Sequence, residues 1–291
     1  MLNLLIKIEF VTLNKKQQLK KCKMKKIISL TLVLLFVISC STVPITGRKR
    51  INIVKDAQIL PASFAQYEGF LKENKISSDL KMTNEVQSVG LRISKAVDKF
   101  MRANSMTTEA DSYRWEFNLI DDPTVNAWCM PGGKVVFYQG ILPICANTDG
   151  VAAVMGHEVA HAFAKHGQER MTSAYGQQLG GIAVAIGTNN KDPKAQQLWN
   201  TIYGVGSQIG MLAYSRTHET EADKLGMVFM IMAGYKPQEA VNVWIRMSQR
   251  ASSGNAPPEF LSTHPSNETR IANLKAYLPT AIKLANKYNV R

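Results

Sequence analysis

The sequence predicts a mostly helical α+β domain in which a small, mainly antiparallel sheet packs on one strongly apolar helix. Three stretches predict it. Residues 147–166 form an apolar run long enough for several helical turns, with Asn147 or Thr148 placed to cap its start. Arg114-Trp115-Glu116-Phe117-Asn118-Leu119-Ile120 alternates strictly and reads as a half-buried strand. Val86, Val89, Ile93, Val97 and Phe100 recur at helical spacing, giving one buried face to a helix over about 83–103.

The chain has 291 residues and a formal charge of +13. That charge is unevenly placed. Residues 1–39 hold eight Lys and one acid, Glu9, which leaves 27 basic and 21 acidic residues downstream. No basic cluster interleaved with aromatics follows, so the charge reads as solvated surface and a nucleic-acid interface is set aside. Residues 24–40 open with two lysines and continue through an apolar stretch from Ile27 to Ile38. That stretch is short for a permanent span and suits a secretory signal. It ends in Val37-Ile38-Ser39-Cys40, which resembles a bacterial lipobox with Cys40 as the lipidated first residue of the mature chain; the alternative is an uncleaved anchor. Either way the folded domain lies outside the cytoplasm, tethered to a membrane. Ser41 after Cys40 favours the periplasmic side of an outer membrane. Met24 is the better start of such a signal. The expected layout is 1–39 extension and signal, 40–56 an extended lipid-anchored tether, and 57–291 the folded domain.

Downstream, Asp121-Asp122-Pro123 turns the chain, and short strands at Asn126-Ala127-Trp128 and 134–138 flank Pro131-Gly132-Gly133. Residues 167–214, rich in Gly and Gln and broken at Asn189–Pro193, read as helical pieces joined by a mobile loop. A helix over about 216–233 stops at Gly234, a C-cap residue type. Pro237 begins the next helix, 252–258 is a loop, and a last helix follows His264-Pro265. Cys129 and Cys145 lie in a compartment that permits disulfides and are read as two buried thiols.

The chemistry is concentrated in His157-Glu158-Val159-Ala160-His161. On a helix, positions i and i+4 share a side, so His157 and His161 aim ring nitrogens at one point, a spacing that binds Zn²⁺. Glu158 is rotated by about 100° from His157. That offset suits a general base that takes a proton from a water beside the metal rather than a ligand. A catalytic zinc takes three protein ligands and leaves one position open. Glu219 is the natural third ligand, and Asp223, one turn further on, is placed to accept a hydrogen bond from the far nitrogen of a ligand histidine. Glu221 is read as surface and His218 as off the ligand face.

These motifs resemble the M48 family of zinc metallopeptidases, most closely its short, exported bacterial members with an Oma1-like domain. The resemblance covers roughly residues 42–278 and rests on Thr42-Val43-Pro44-Ile45-Thr46-Gly47-Arg48, Asn126-Ala127-Trp128 with Pro131-Gly132-Gly133, His157–His161, Ser215-Arg216 with Glu219 to Asp223, and Thr263-His264-Pro265 with Arg270-Ile271. It implies a zincin-like (gluzincin) fold, one zinc per chain held by His157, His161 and Glu219, Glu158 as base, and Asp223 behind the ligands. It also implies endopeptidase action on misfolded or misassembled envelope proteins, with a latent or non-proteolytic chaperone on the same zinc fold as the alternative. Asn126, Ala127, Trp128, Gly132 and Gly133 are the candidate substrate-binding residues, through strand addition at a free sheet edge; the alternative is a structural hairpin. His264, in what reads as an exposed loop, has three readings: donor to the oxyanion, fourth zinc ligand that holds the enzyme latent, or helix-start residue.

Overall fold

The structure, a computed structural model, describes residues 40–173, 215–252, 260–261, 264 and 268–288. The expected signal segment, residues 174–214 of the expected helical pieces and loop, and the loop expected after Ser252 lie outside the described residues. The chain runs β1 (Cys40–Thr42), β2 (Lys49–Ile51), α1 (Asp56–Glu73), α2 (Leu80–Ala103), α3 (Thr107–Ser112), β3 (Glu116–Ile120), β4 (Ala127–Met130), β5 (Lys134–Tyr138), α4 (Leu142–Cys145), α5 (Thr148–Phe163), α6 (Arg216–Met232), α7 (Gln238–Ser252) and α8 (Glu268–Tyr288). The fold is the expected mostly helical α+β arrangement. Among the described residues no helix is long and apolar enough to cross a membrane.

The central sheet has the order β3-β5-β4. β4 and β5 form the expected antiparallel hairpin, with Ala127 opposite Phe137 and Met130 opposite Lys134. β3 runs parallel to β5, with Phe117 opposite Val135 and Leu119 opposite Phe137. Alternation reports which face of a strand is buried and carries no sign of its direction, so this pairing was not readable. The hairpin turn needs Gly132 and Gly133, at φ +85° and +87°, and a Cβ there would strike Phe64 and Trp115.

The pleat divides the sheet's side chains between two layers. Phe117, Leu119, Ala127, Cys129, Val135 and Phe137 join the main core with α2, α5 and α6. Ile120, Met130 and Val136 face Tyr67 and Phe70 of α1. α5 is therefore enclosed: every residue from Gly150 to Phe163 is buried. The Asn147 side chain caps it, accepting the Gly150 N–H at 2.9 Å. Lys165, at φ +59°, breaks the helix before a helical stretch over 166–173. α6 crosses α5 with Gly156 set against Gly226, so close that a Cβ on Gly156 would lie 2.7 Å from the Gly226 carbonyl oxygen. Cys129 and Cys145 are buried free thiols.

The N-terminal segment departs from the extended tether expected over 40–56. β1 and β2 pair antiparallel, with Cys40 opposite Ile51. Val43, in the turn between them, is fully buried in the main core. Arg50 donates to the Ala164 carbonyl and to Ser41 Oγ, fixing the hairpin to the end of α5. Val43-Pro44-Ile45 supplies the apolar surface that a solvated tether would lack.

Candidate metal centre

α5 and α6 bring the predicted residues to one point. His157 Nε2 lies 3.1 Å from His161 Nε2. Glu219 Oε2 is 3.5 Å from His157 Nε2, and Glu219 Oε1 is 3.4 Å from His161 Nε2. Two ligand atoms about 2.1 Å from one tetrahedral zinc stand about 3.4 Å apart, so this spacing suits a shared ion. His264 joins them, its Nδ1 3.1 Å from His157 Nε2 and 3.0 Å from Glu219 Oε1. All four residues are buried and offer ligand atoms within 4.8 Å of one another. The exposed setting expected for His264 is corrected: it is 3% exposed, and its ring stacks on Phe260 at 4.5 Å.

Behind the cluster, His157 Nδ1 faces Asp223 Oδ1 at 3.0 Å, as the one-turn spacing from Glu219 to Asp223 leads one to expect. Arg270, on α8, donates to both Asp223 oxygens at 2.7 and 2.8 Å and to Glu219 Oε2 at 2.8 Å. Its guanidinium carbon sits 3.3 Å from the centroid of the Trp244 ring. Burial acts to lower the His157 imidazole, but hydrogen bonds to Asp223 and Glu219 outweigh it and raise it to about 9. Burial would raise both carboxyls, yet the charge of His264 and hydrogen bonds from the histidines hold Glu219 well below the usual carboxylate range, and Arg270 holds Asp223 low. Glu158 is shifted up, chiefly by burial. Its Oε1 is buried without a hydrogen-bond partner and lies 3.6 Å from His264 Nε2, beside the ligand cluster. A buried, partnerless carboxylate oxygen next to convergent ligand atoms fits a site built for a metal and a proton-donating guest.

A family model described as peptidase family M48 matches residues 84–278, two thirds of the chain and all of the cluster just described. The chain belongs to peptidase family M48. The mitochondrial metalloendopeptidase OMA1 of Schizosaccharomyces pombe is 33% identical over 239 residues, covering 82% of this chain and 66% of that protein. The OMA1 protein of Saccharomyces cerevisiae is 40% identical over 177 residues, 59% of this chain and 49% of its own length. The beta-barrel assembly-enhancing protease of Escherichia coli K12 is 28% identical over 205 residues, 68% of this chain and 39% of its own. The M48 chain described here thus spans between two fifths and two thirds of the length of these relatives.

The other predicted residues of this M48 domain are placed differently. Trp128 packs edge-on against Phe70 of α1, ring centroids 5.0 Å apart, on the sheet face away from the cluster. Asn126 is buried, and its Oδ1 accepts the Ala127 N–H. Gly132 and Gly133 meet α1 and Trp115, as described above. Among the described residues no strand pairs with the outer edge of β4. Arg216 is exposed and lines a cavity of about 230 Å³ beside Glu219, together with Lys224, Thr269 and Tyr277. Three residues escaped the sequence reading. Arg270 stood only beside Ile271 as a family mark, with no role read for it. His166 lies only five residues past His161, yet Lys165 turns the helix so that the two rings meet at Nδ1, 3.0 Å apart. Glu221, read as surface, is 4% exposed and accepts from His166 at 3.0 Å.

Proposed function

We propose that this chain is a zinc-dependent endopeptidase that hydrolyses misfolded or misassembled proteins of the cell envelope. The convergence of His157, His161 and Glu219 with the partnerless Glu158 oxygen alongside carries the reading. His157, His161 and Glu219 would hold one zinc, which when bound polarises a scissile carbonyl and acidifies a water. The remaining chemistry belongs to the protein. Glu158, raised by burial, takes the proton of the attacking water at Oε1 and returns it to the leaving amine. Asp223, held by Arg270, keeps the proton of His157 on Nδ1 and its Nε2 lone pair on the cluster. The outer edge of β4 offers main-chain groups to an extended peptide, a mode that ignores most side-chain identity and suits unfolded substrates. The name of the Escherichia coli relative supports a substrate in envelope assembly, and lipidation at Cys40 would hold the domain on the periplasmic side of the outer membrane.

The position of His264 favours a second reading within the same centre. Its Nδ1 stands where a fourth ligand would, which is the latent arrangement and the one a non-proteolytic chaperone would keep. Two variants separate the readings. Casein degradation by the exported chain is expected to vanish with a chelator and to fall at least about 100-fold in Glu158→Gln with one zinc retained. His264→Ala is expected to raise basal cleavage if the residue is a latch. If the parent and His264→Ala both bind zinc and neither cuts, the peptidase reading is lost and the chaperone reading stands.

A further inference from the structure

The turn of the N-terminal hairpin, Thr46-Gly47-Arg48, carries no part of the chemistry above, yet its side chains end close to the metal centre. Arg48 Nε donates to Glu221 Oε2 at 2.6 Å, and Thr46 Oγ1 donates to Glu221 Oε1. Glu221 accepts from His166 Nε2 at 3.0 Å, and His166 Nδ1 meets His161 Nδ1 at 3.0 Å. This chain of contacts admits one direction. A carboxylate only accepts, so His166 carries its proton on Nε2 and offers the Nδ1 lone pair. His161 must then carry its proton on Nδ1, which leaves its Nε2 lone pair turned to His157, Glu219 and His264. That is the tautomer able to bind a metal.

We propose that Arg48, through Glu221 and His166, positions His161 as a metal ligand, so that the N-terminal hairpin is a working part of the metal centre. The proposal rests on the reading of His161 as a ligand. The arrangement mirrors the other ligand: Asp223 and Arg270 orient His157 from α6 and α8, and Glu221 and Arg48 orient His161 from α6 and the hairpin, with His166 interposed. A competing use of the same residues fails on geometry. His166, Glu169 and His218 also offer ligand atoms within 4.8 Å of one another. However, the His166 and His218 rings stack at 4.4 Å and 22°, so their in-plane lone pairs run side by side and do not converge. Glu169 is moreover engaged by Arg48, which donates to it at 2.8 Å.

The test is zinc affinity of the full chain, by competition with a chromophoric chelator, with the cobalt(II) absorption spectrum recorded as a second readout. His166→Phe keeps the stacking and removes the acceptor. It is expected to weaken zinc binding about 10- to 100-fold and to alter the cobalt spectrum. His166→Asn, whose side-chain oxygen can accept from His161 Nδ1, is expected to recover most of that loss. Arg48→Met is expected to weaken zinc in the same sense, and Arg48→Met with His166→Phe to be no weaker than His166→Phe alone, because both cut one path. Zinc constants within about twofold of the parent in both single variants would overturn the proposal, as would full additivity in the double variant. If His166→Phe does not fold, Arg48→Met, which alters a partly exposed side chain, decides the matter alone. A parent chain that binds no zinc would instead strike the reading of the metal centre itself.

Discussion

Arg270 shows what a single side chain does here. Three carboxylate oxygens, two of Asp223 and one of Glu219, share its guanidinium at 2.7–2.8 Å in a buried site. The planar fork spans both carboxylates while its central carbon lies over the Trp244 ring, and a lysine ammonium could not bridge the two carboxylates in this way. Arg270→Met leaves two buried carboxylates without their cation and is expected to destabilise the domain by about 3–5 kcal/mol. Arg270→Lys should recover only part of this. Thermal melts of the two variants check the order. The local spacing of the histidines, Glu158, Glu219 and Asp223 was readable because each pair lies on one helix, where sequence separation sets the angle. Arg270 was not, because 47 residues separate it from Asp223 and no helical period links them.

At the scale of elements, the centre depends on how closely α6 lies on α5. Gly156 precedes His157, and Gly226 lies three residues after Asp223. Cβ atoms built on the two would meet facing backbone at 2.7 Å. Alanine in a helix interior is ordinarily worth about 1 kcal/mol over glycine. At Gly226 the sign should reverse, because neither backbone can yield, and Gly226→Ala is expected to cost about 1–3 kcal/mol. It should also weaken zinc binding, since separating the helices moves Glu219 from His157 and His161. Denaturant titration and zinc competition on this variant measure both effects. The helices themselves were legible from apolar period and end signals, Asn147 at the start of α5 and Gly234 after α6; the Ser215 cap of α6 was not read. Their crossing was not, because a lone glycine in an apolar run reads the same whether it faces a neighbour or space.

For the molecule as a whole, the N-terminal hairpin and the helical domain form one ionic unit around Arg48, Glu169, Glu221 and His166. Burial would raise Glu169, but hydrogen bonds from Arg48 and His218 hold it down at about 2. A carboxyl whose folded value is depressed adds stability above its unfolded value and loses it as pH falls through the folded one. Glu169→Gln is therefore expected to lower the melting temperature at pH 6, with the gap to the parent closing between about pH 4.5 and 2. A gap that is constant with pH would assign the loss to packing. The proposed anchor is a separate whole-chain question. Cys40→Ser, expressed with a C-terminal tag, is expected to move the protein from the membrane to the soluble fraction, and no change in fractionation would remove the lipid from the account.

By itself the sequence determined α2, α5 to α8, the strands β3 to β5, and the motif set of the candidate metal centre, but not α1 or the β1–β2 pair. Each of these is written in a period of a few residues, where backbone geometry converts spacing into direction. The tertiary structure alone decided the parallel β3–β5 pairing, the burial of Glu221 and His264, the Arg270 clamp and the return of the N-terminal turn to Glu221. These join residues far apart in the chain, and their partners are chosen by the packing of whole elements, which local spacing does not encode.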